Sequence, residues 1–342
     1  MLIHYKCPNC GNDMAFDADS GKLSCPSCGH QETIEQLEEE YISQEFSEED
    51  IQEYHCNNCG AIVVTDGDTT ATSCSFCGAA VVLADRLTNK LAPAKVIPFT
   101  ISKEAAQKAF KKWCKNGRFT PRGFMTADRI KNITGIYVPF WMYDLHSDIH
   151  VRAVGRRVKS YRRGDYIYKE TDHYDVARDI VMYHERVPVD ASKKMDDQTM
   201  DLVEPYNYRD LKTFKMAYLT GFLAEKYNFT DKELLPRVKG KISPYINSYI
   251  NTSLRGYSSL SVKTKDINTS QKKGSYVLFP IWMVYYDYEN QEHTFAMNGQ
   301  TGKVVGKPPI SKGKVFQWFT GLSLSAFLLF KVLSFLIGGV WW

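Results

Sequence analysis

The first 85 residues contain very little positive charge. They hold two basic residues, Lys6 and Lys22, against 16 acidic ones, a formal charge of −14. The remainder holds 41 basic and 23 acidic residues, so the overall charge of +4 hides a strong asymmetry. Nucleic-acid affinity depends largely on neutralising phosphates. The shortage of cations therefore disfavours DNA or RNA binding by the N-terminal region.

The sequence gives no indication of a secretory signal or of a catalytic motif. Its N-terminus, M-L-I-H-Y-K-C, has no apolar stretch of signal-peptide length, so we expect the cysteines to stay in reducing cytoplasm. No H-E-x-x-H, G-x-S-x-G, Walker A or G-x-G-x-x-G motif is present. We therefore predict that the protein is not an enzyme and that it has no catalytic residue.

Eight of the nine cysteines form four C-x-x-C pairs in two sets, and 14 residues separate the pairs of each set. Adding 49 to each position of the first set gives the second set, which indicates a duplicated module. The two sets are Cys7, Cys10, Cys25 and Cys28, then Cys56, Cys59, Cys74 and Cys77.

A glycine follows every pair, and glycine accepts the positive φ that such tight turns often need. Two turns supply four thiolates, which complete a tetrahedral Zn²⁺ site with no open position. The sequence therefore predicts two structural zinc ions held by the eight cysteines. One alternative to zinc is a set of disulfides, but these need an oxidising compartment. The other alternative is iron, although the two C-x-x-C turns of rubredoxins are spaced more widely than the turns in this sequence. His30 and His55 only flank the sites, and Cys114 is left over.

The sequence predicts a multi-domain protein with two Cys₄ zinc ribbons, an α+β domain of mainly antiparallel sheet, and one C-terminal transmembrane helix. The predicted boundaries are zinc ribbon 1 at 1–30, a partly helical acidic linker at 31–54, zinc ribbon 2 at 55–85, the α+β domain at 92–310, and the transmembrane helix at 315–342. Residues 31–53 carry ten carboxylates and no Lys or Arg. We interpret them as a solvated linker, the alternative being an acidic docking segment.

Within the α+β domain, a helix is expected from a Ser102 cap to Asn116-Gly117, and another over 231–254 after Thr230. A third helical region is predicted at 208–226. Strands are predicted at 135–144, 149–159, 165–178, 258–266, 275–289 and 292–305, with a turn at 298–302. The segments Tyr137–Asp144 and Leu278–Asp287 share a Pro-x-Trp-Met pattern, which indicates equivalent strands in two halves of a sheet.

The last 28 residues, 315–342, contain one charge, Lys331. As a helix they would span about 42 Å, against a hydrocarbon core of about 30 Å. Fifteen of them are Leu, Ile, Phe or Val, which contribute about −5 to −9 kcal/mol, whereas one central lysine costs about +3 kcal/mol. The sequence therefore predicts a tail-anchored, single-pass protein of the cell membrane.

Lys303, Lys307, Lys312 and Lys314 precede the predicted span, so the positive-inside rule places the bulk of the chain, on the N-terminal side, in the cytoplasm. An intramembrane charge usually faces protein or water. Lys331 therefore either packs against another membrane helix, on a face shared with Gln317 and Ser334, or extends to the headgroups without a partner.

A basic stretch interleaved with tyrosines, Arg152–Lys169, is a candidate for contact with anionic lipid headgroups. The alternative is a solvated β-hairpin turning at Arg163-Gly164-Asp165, and nucleic acid is the least favoured ligand. His146, Asp148 and His150 would share one strand face, where solvent exposure is a more common explanation than metal binding.

The combination of ribbons, Pro-x-Trp-Met strands, the Ala217–Tyr227 segment, the Gly299–Gly306 turn and the apolar tail resembles the bacterial membrane-anchored TFIIB-type zinc-ribbon proteins (YdjG-like). The resemblance covers most of the chain. It implies zinc-ligand roles for all eight ribbon cysteines. It also implies a membrane scaffold that recruits PspA-type and SPFH or virion-core-like proteins in envelope stress.

We therefore predict a zinc-binding adaptor that recruits cytoplasmic proteins to the membrane through protein-protein interaction. The alternatives are a membrane-tethered nucleic-acid-binding regulator and a lipid- or ligand-binding membrane protein.

Overall fold

The computed structural model describes residues 2–3, 5–36, 51–55, 62–66, 69–73, 80–83, 93–115, 119–121, 133–288, 291–306 and 308–336. These residues form an α+β fold whose sheets are mostly antiparallel, as expected from the sequence. Among the described strand pairs, two are parallel. The helices are α1 (Lys103–Lys115), α2 (Asp197–Val203), α3 (Leu235–Ser253) and α4 (Lys312–Leu336).

Sixteen strands are described. They are β1 (Leu2–Ile3), β2 (Ala15–Asp17), β3 (Lys22–Ser24), β4 (Gln31–Glu32), β5 (Ile51–His55), β6 (Ile62–Asp66), β7 (Thr69–Ser73), β8 (Ala80–Leu83), β9 (Lys95–Val96), β10 (Thr134–Arg163), β11 (Tyr166–Asp190), β12 (Lys212–Thr213), β13 (Leu223–Glu225), β14 (Ser259–Tyr288), β15 (Gln291–Asn298) and β16 (Val304–Val305). Eleven of them form one sheet, ordered β1-β8-β7-β13-β10-β14-β15-β16 with β11 on β10 and with β9 and β12 at the side. The small sheets are β2-β3-β4 and β5-β6.

The long strands β10, β11 and β14 build an arm, which we define as residues 145–163, 166–184 and 259–271. The 30 residues of β10 have a contour of about 100 Å at about 3.3 Å per residue. Gly164, at φ 64°, turns the chain from β10 into β11. Because β14 begins at Ser259, opposite Arg156, the outermost part of the arm is a two-stranded tip.

The α3 helix covers one face of the arm. Its apolar residues recur every four positions, at Val238, Ile242, Ile246 and Ile250, and pack on Ile149, Val151 and Val176. This spacing places one stripe of a helix against the alternate residues of a strand. The helix begins at Leu235, later than predicted, and its N-cap residue Leu234 makes no side-chain capping hydrogen bond. The predicted cap, Thr230, lies in the preceding turn, where Thr230 N donates to Glu233 Oε2 at 2.7 Å and Glu233 N donates to Thr230 Oγ1 at 3.3 Å.

The two Pro-x-Trp-Met segments are neighbouring antiparallel strands at the centre of the main sheet. Pro139 lies opposite Leu278, and Pro280 lies opposite Tyr137. Both tryptophans donate a hydrogen bond to a backbone carbonyl: Trp141 Nε1 donates to Phe229 O at 2.8 Å and Trp282 Nε1 donates to Ile101 O at 3.0 Å. The predicted equivalence of these strands within the sheet is confirmed.

Three secondary-structure predictions are wrong, one of which divided the continuous strand β14 into strands at 258–266 and 275–289. Residues 208–226 do not form a helix: they contain two 3₁₀ turns (Tyr208–Asp210 and Met216–Leu219) and the strands β12 and β13. The separate strands predicted within 135–178 are instead the continuous strands β10 and β11. The polar residue Ser147 does not interrupt β10 because it is buried and hydrogen-bonds Thr269 at 2.8 Å.

The C-terminal helix α4 is long and apolar enough to cross a membrane. Within Lys312–Phe335, an 18-residue window has a mean hydropathy of 1.5, and none of that window is buried. In the chain it follows β16, which pairs with Ala296 and Met297 of β15 at the end of the main sheet away from the tip of the arm. Lys314 Nζ donates to Thr120 O at 2.7 Å, which ties the first turn of α4 to the domain.

Candidate metal centre

Four cysteine sulfurs converge at the N-terminus. The Sγ atoms of Cys7, Cys10, Cys25 and Cys28 all lie within 4.8 Å of one another. The Cys7 and Cys28 sulfurs are 3.5 Å apart, as are those of Cys10 and Cys25. Cys7 and Cys25 are buried, whereas Cys10 and Cys28 are exposed, so the cluster lies at the surface of the ribbon.

Each cysteine pair lies in a tight turn closed by backbone hydrogen bonds. Gly11 N donates to Cys7 O at 2.8 Å, and Gly29 N donates to Cys25 O at 3.0 Å. Gly11 and Gly29 have φ values of 76° and 74°, which is the left-handed conformation expected of these glycines. The turns therefore aim both sulfurs of a pair at one point.

The donor set fits a zinc ion. Tetrahedral Zn–S bonds of about 2.3 Å require sulfurs about 3.8 Å apart, close to the separations here. Backbone hydrogen bonding from Cys28 lowers the pKa of the Cys25 thiol to about 7, against the opposing effect of burial. This favours the thiolate form of Cys25 that zinc needs, whereas at Cys28 a backbone hydrogen bond is outweighed by the hydrogen bonds with the side chains of Cys7 and Cys10, which raise the pKa of that thiol. Four thiolates would fill the tetrahedron, so bound zinc would have a structural role there.

His30 does not join the cluster. Its Nδ1 lies 3.3 Å from Asn9 Nδ2, and the group of potential ligands consists of the four cysteines. The predicted flanking position of this histidine therefore agrees with its contacts.

The ribbon that carries the cluster packs against the α+β domain. Phe16 stacks edge-on against Tyr218 at 5.5 Å between ring centroids and contacts Phe222 at 6.2 Å. Phe16 N donates to Thr220 O at 3.1 Å. Near this contact, Lys215 Nζ donates to the carbonyls of Ile34 and Glu35, each at 3.0 Å.

These docking residues were not found by sequence reasoning. The Ala217–Tyr227 segment contributed to the family resemblance, but its burial against the ribbon was not predicted. The available signal was the density of aromatic residues in a segment that forms no continuous helix.

The second set of cysteines, Cys56, Cys59, Cys74 and Cys77, lies outside the described residues, and so does the 37–50 part of the predicted linker. The strands that flank these cysteines are described. Two of their pairings repeat those of the first ribbon when 49 is added to each residue number. Lys6 opposite Asp13 becomes His55 opposite Ile62, and Ser24 opposite Gln31 becomes Ser73 opposite Ala80.

The remaining candidates form no further cluster of metal ligands within the described part of the chain. His146 and Asp148 do lie near each other on one strand face, with 3.5 Å between Nε2 and Oδ1. His150 instead pairs with Asp179 of β11 at 2.7 Å. Burial raises the pKa of the leftover Cys114 thiol to about 11, which disfavours a nucleophilic thiolate.

The basic stretch Arg152–Lys169 forms the outer half of the arm, including the predicted hairpin turn. Several of its cations have acidic neighbours: Arg152 pairs with Asp179 at 2.9 Å, and Arg157 and Lys159 lie opposite Asp172 and Glu170. The guanidinium of Arg157 also lies 5.2 Å from the ring centroids of both Tyr174 and Tyr257. Part of the positive charge is therefore neutralised within the arm.

Comparison with known proteins agrees with this picture. A family model described as TFIIB zinc-binding matches residues 5–46. The chain is 62% identical over 339 residues to an uncharacterized protein, YdjG, of Bacillus subtilis (strain 168), and the match covers 99% of both chains. No solved structure matches significantly.

Proposed function

Because the chain belongs to the YdjG-like family of zinc-ribbon proteins, we propose that it is a single-pass membrane adaptor that recruits cytoplasmic proteins. The observation that carries this proposal is the combination of a surface zinc ribbon docked on the α+β domain and an exposed apolar helix at the end of the same domain. A ribbon held by packing and hydrogen bonds presents a fixed surface, and the helix would keep that surface at the bilayer.

A second structural zinc ion belongs to this proposal. Its support is the repeated strand register around Cys56, Cys59, Cys74 and Cys77, because the same register in ribbon 1 brings its cysteines together. Two closed tetrahedral sites leave no metal position open for a substrate. The proposed role is therefore non-enzymatic.

The proposed orientation places the N-terminal bulk of the chain in the cytoplasm. Lys312 and Lys314 lie in the first turn of α4, and the positive-inside rule favours the cytoplasmic side for such lysines. The acidic ribbons would then face cytoplasmic partners. The family resemblance suggests PspA-type and SPFH or virion-core-like proteins as those partners, acting in envelope stress.

Two other functions are less well supported. Binding of anionic lipid by Arg152–Lys169 is disfavoured by the distance of this stretch from the membrane helix. The stretch lies at the tip of the arm, whereas β15 and β16, which precede α4, lie at the opposite end of β14. Nucleic-acid binding by the same stretch is disfavoured because Asp172, Asp179 and Glu170 offset three of its cations. Lys331 remains a candidate contact with a second membrane helix, which Lys331→Leu would weaken.

Affinity purification of the full-length chain from membranes tests the adaptor function. Intact protein is compared with Cys10→Ser/Cys28→Ser, which removes two ligands of ribbon 1, and with Cys114→Ser as a matched control outside the ribbons. We expect specific partners to be lost with the double variant and kept with the control. If every partner is recovered equally from all three proteins, ribbon-dependent recruitment is wrong.

A further inference from the structure

The strand β11 has one paired edge and one open edge. It is hydrogen-bonded to β10, and no described strand pairs with its other side between Tyr166 and Asp190. A long open edge exposes a row of backbone donors and acceptors and is a template for another strand. At this edge, the carbonyl of Ala177 accepts a hydrogen bond from the side chain of Arg178 at 2.8 Å.

The hairpin geometry determines which residues point outward. Arg163 and Tyr166 close a two-residue turn, so they form a hydrogen-bonded pair and the even-numbered residues of β11 bond to β10. The odd-numbered residues therefore direct N–H and C=O to the open edge. The bond from Ser258 N to Arg156 O at 2.7 Å agrees, because it shows the even residues of β10 facing β14.

The charges of β11 favour a second copy of β11 as the occupant. In an antiparallel pair, both residues of a hydrogen-bonded pair must direct their backbone N–H and C=O groups to the open edge. An odd-numbered residue of one copy must therefore lie opposite an odd-numbered residue of the other copy. Among those registers, only the one centred on Tyr174 opposes two different pairs of opposite charges and no like charges. It places Lys169 opposite the partner's Asp179 and Glu170 opposite the partner's Arg178.

The same register would cover exposed aromatic residues. Tyr161 and Tyr168 stack at 5.6 Å between centroids, and with Tyr166, 73% exposed, they lie on the α3 side of the tip. Tyr168 would oppose the partner's Ile180, a residue that packs under α3. Tyr245 and Tyr249, 69% and 53% exposed, lie on the side of α3 away from Asn247, which hydrogen-bonds Lys265 of β14.

We propose that two copies of this chain dimerise by antiparallel pairing of their β11 edges, with Tyr174 of each copy on the twofold axis. The pairing would extend over Tyr166–Met182, and the tip of each arm would lie beside α3 of the other copy. Such a contact is isologous, so it closes at two copies and does not propagate into a filament. This inference goes beyond the proposed adaptor function and does not require it.

Disulfide cross-linking of the full-length chain in membranes tests the register. Thr171 and Ala177 are exposed and would oppose each other across the axis as a hydrogen-bonded pair, about 5.5 Å apart at Cα. Within one chain they are six residues apart along a strand, about 20 Å, so they cannot bridge internally. We expect Thr171→Cys/Ala177→Cys to give a covalent dimer under mild oxidation.

The control pair is His173→Cys/Ala177→Cys. Its first cysteine is shifted by two residues from the position opposite Ala177, so this pair should not cross-link. Each single variant reports the background from the native cysteines. Absence of the dimer with Thr171→Cys/Ala177→Cys, or equal yields from both pairs, would overturn the proposal.

Charge reversal provides an independent measurement. Lys169→Glu would place a carboxylate opposite the partner's Asp179 twice in the dimer, and we expect roughly a tenfold weaker dimerisation constant by sedimentation in detergent. Lys263→Glu makes the same charge change on β14, at the opposite edge of the arm, and should leave the constant unchanged. Equal weakening by both variants, or a full-length chain that is monomeric throughout, would contradict pairing through β11.

Discussion

The two cysteine modules have the same cysteine spacing and share two strand pairings, yet their described strands join the rest of the molecule differently. In the first module, β2, β3 and β4 form a sheet of their own that packs on the domain through side chains such as Phe16. In the second, β7 and β8 belong to the main sheet: β7 pairs with β13, and β8 pairs with β1.

The sequence around the cysteines explains the difference. The strand after the second turn reads Gln31-Glu32 in the first module but Ala80-Val81-Val82-Leu83 in the second. In β7, Thr70 and Ala71 are fully buried, whereas the equivalent position to Ala71 in β3 is Lys22, which is exposed. Apolar, β-branched strands are suited to a buried sheet, and charged strands to a solvated one. Cysteine spacing and attachment to the fold are thus separable properties of this module.

The largest expected effect comes from removing a metal site in each module in turn. Cys25→Ser/Cys28→Ser and Cys74→Ser/Cys77→Ser should each lower the zinc content by one ion, because a structural site contributes about 10–16 kcal/mol of apparent binding energy. The second variant should lower the thermal unfolding temperature of the main domain more than the first, since β7 is hydrogen-bonded to β13 within the main sheet whereas ribbon 1 packs on the domain mainly through side chains. Metal analysis and calorimetry measure the two effects, and equal unfolding temperatures would remove the distinction between the modules.

The next effect concerns the packing of ribbon 1. Phe16→Ala should cost about 3–5 kcal/mol of docking, because its ring fills the space between Tyr218 and Phe222. Zinc should be retained, since the cysteine turns are closed by local hydrogen bonds. Hydrogen exchange of residues 15–35 would rise in this variant. Phe119→Ala, at a ring 39% exposed and outside this contact, should leave that exchange unchanged.

A smaller effect is expected from the polar contacts of the ribbon. Lys215→Met removes the donor that holds the carbonyls of Ile34 and Glu35, and it should weaken docking by about 1.5–3 kcal/mol. Lys212→Met removes an exposed ion pair with Glu35 at 3.5 Å and should cost less than about 1 kcal/mol. The same exchange experiment compares the two, and an equal loss would show that the carbonyl contacts are unimportant.

The smallest expected effect is a pH dependence of docking. A hydrogen bond from its own backbone N–H, assisted by Lys212, lowers the pKa of Glu35 below its ordinary value of 4.5. Because the folded-state pKa is the lower one, the stabilisation is present above pH 4.5 and is lost as the pH falls through the folded value. The difference in exchange between wild type and Glu35→Gln should therefore vanish in acid, and a constant difference would contradict this role.

The local parts of the fold were predictable. The i, i+3 spacing of Cys25 and Cys28 followed by Gly29 fixes a metal-binding turn, and the four-residue apolar repeat of α3 fixes its buried face. The mistaken helix at 208–226 has a non-local cause. Several of its buried side chains belong to the core cluster shared with ribbon 1, among them those of Phe214, Met216, Tyr218 and Phe222. The segment therefore packs against ribbon 1 as well as the main domain, whereas an amphipathic helix buries only one face.

The sequence alone determined the zinc chemistry and the apolar C-terminal helix, because both depend on residues close together in the chain. It predicted the four-cysteine cluster that the structure shows in the first ribbon, and it revealed the repeated cysteine spacing that follows. Tertiary structure alone decided that the first ribbon docks through Phe16 and Lys215, that the second joins the main sheet, and that β10 and β11 extend as one arm. Those features depend on pairings between distant segments, for which no single stretch of sequence carries the full pattern.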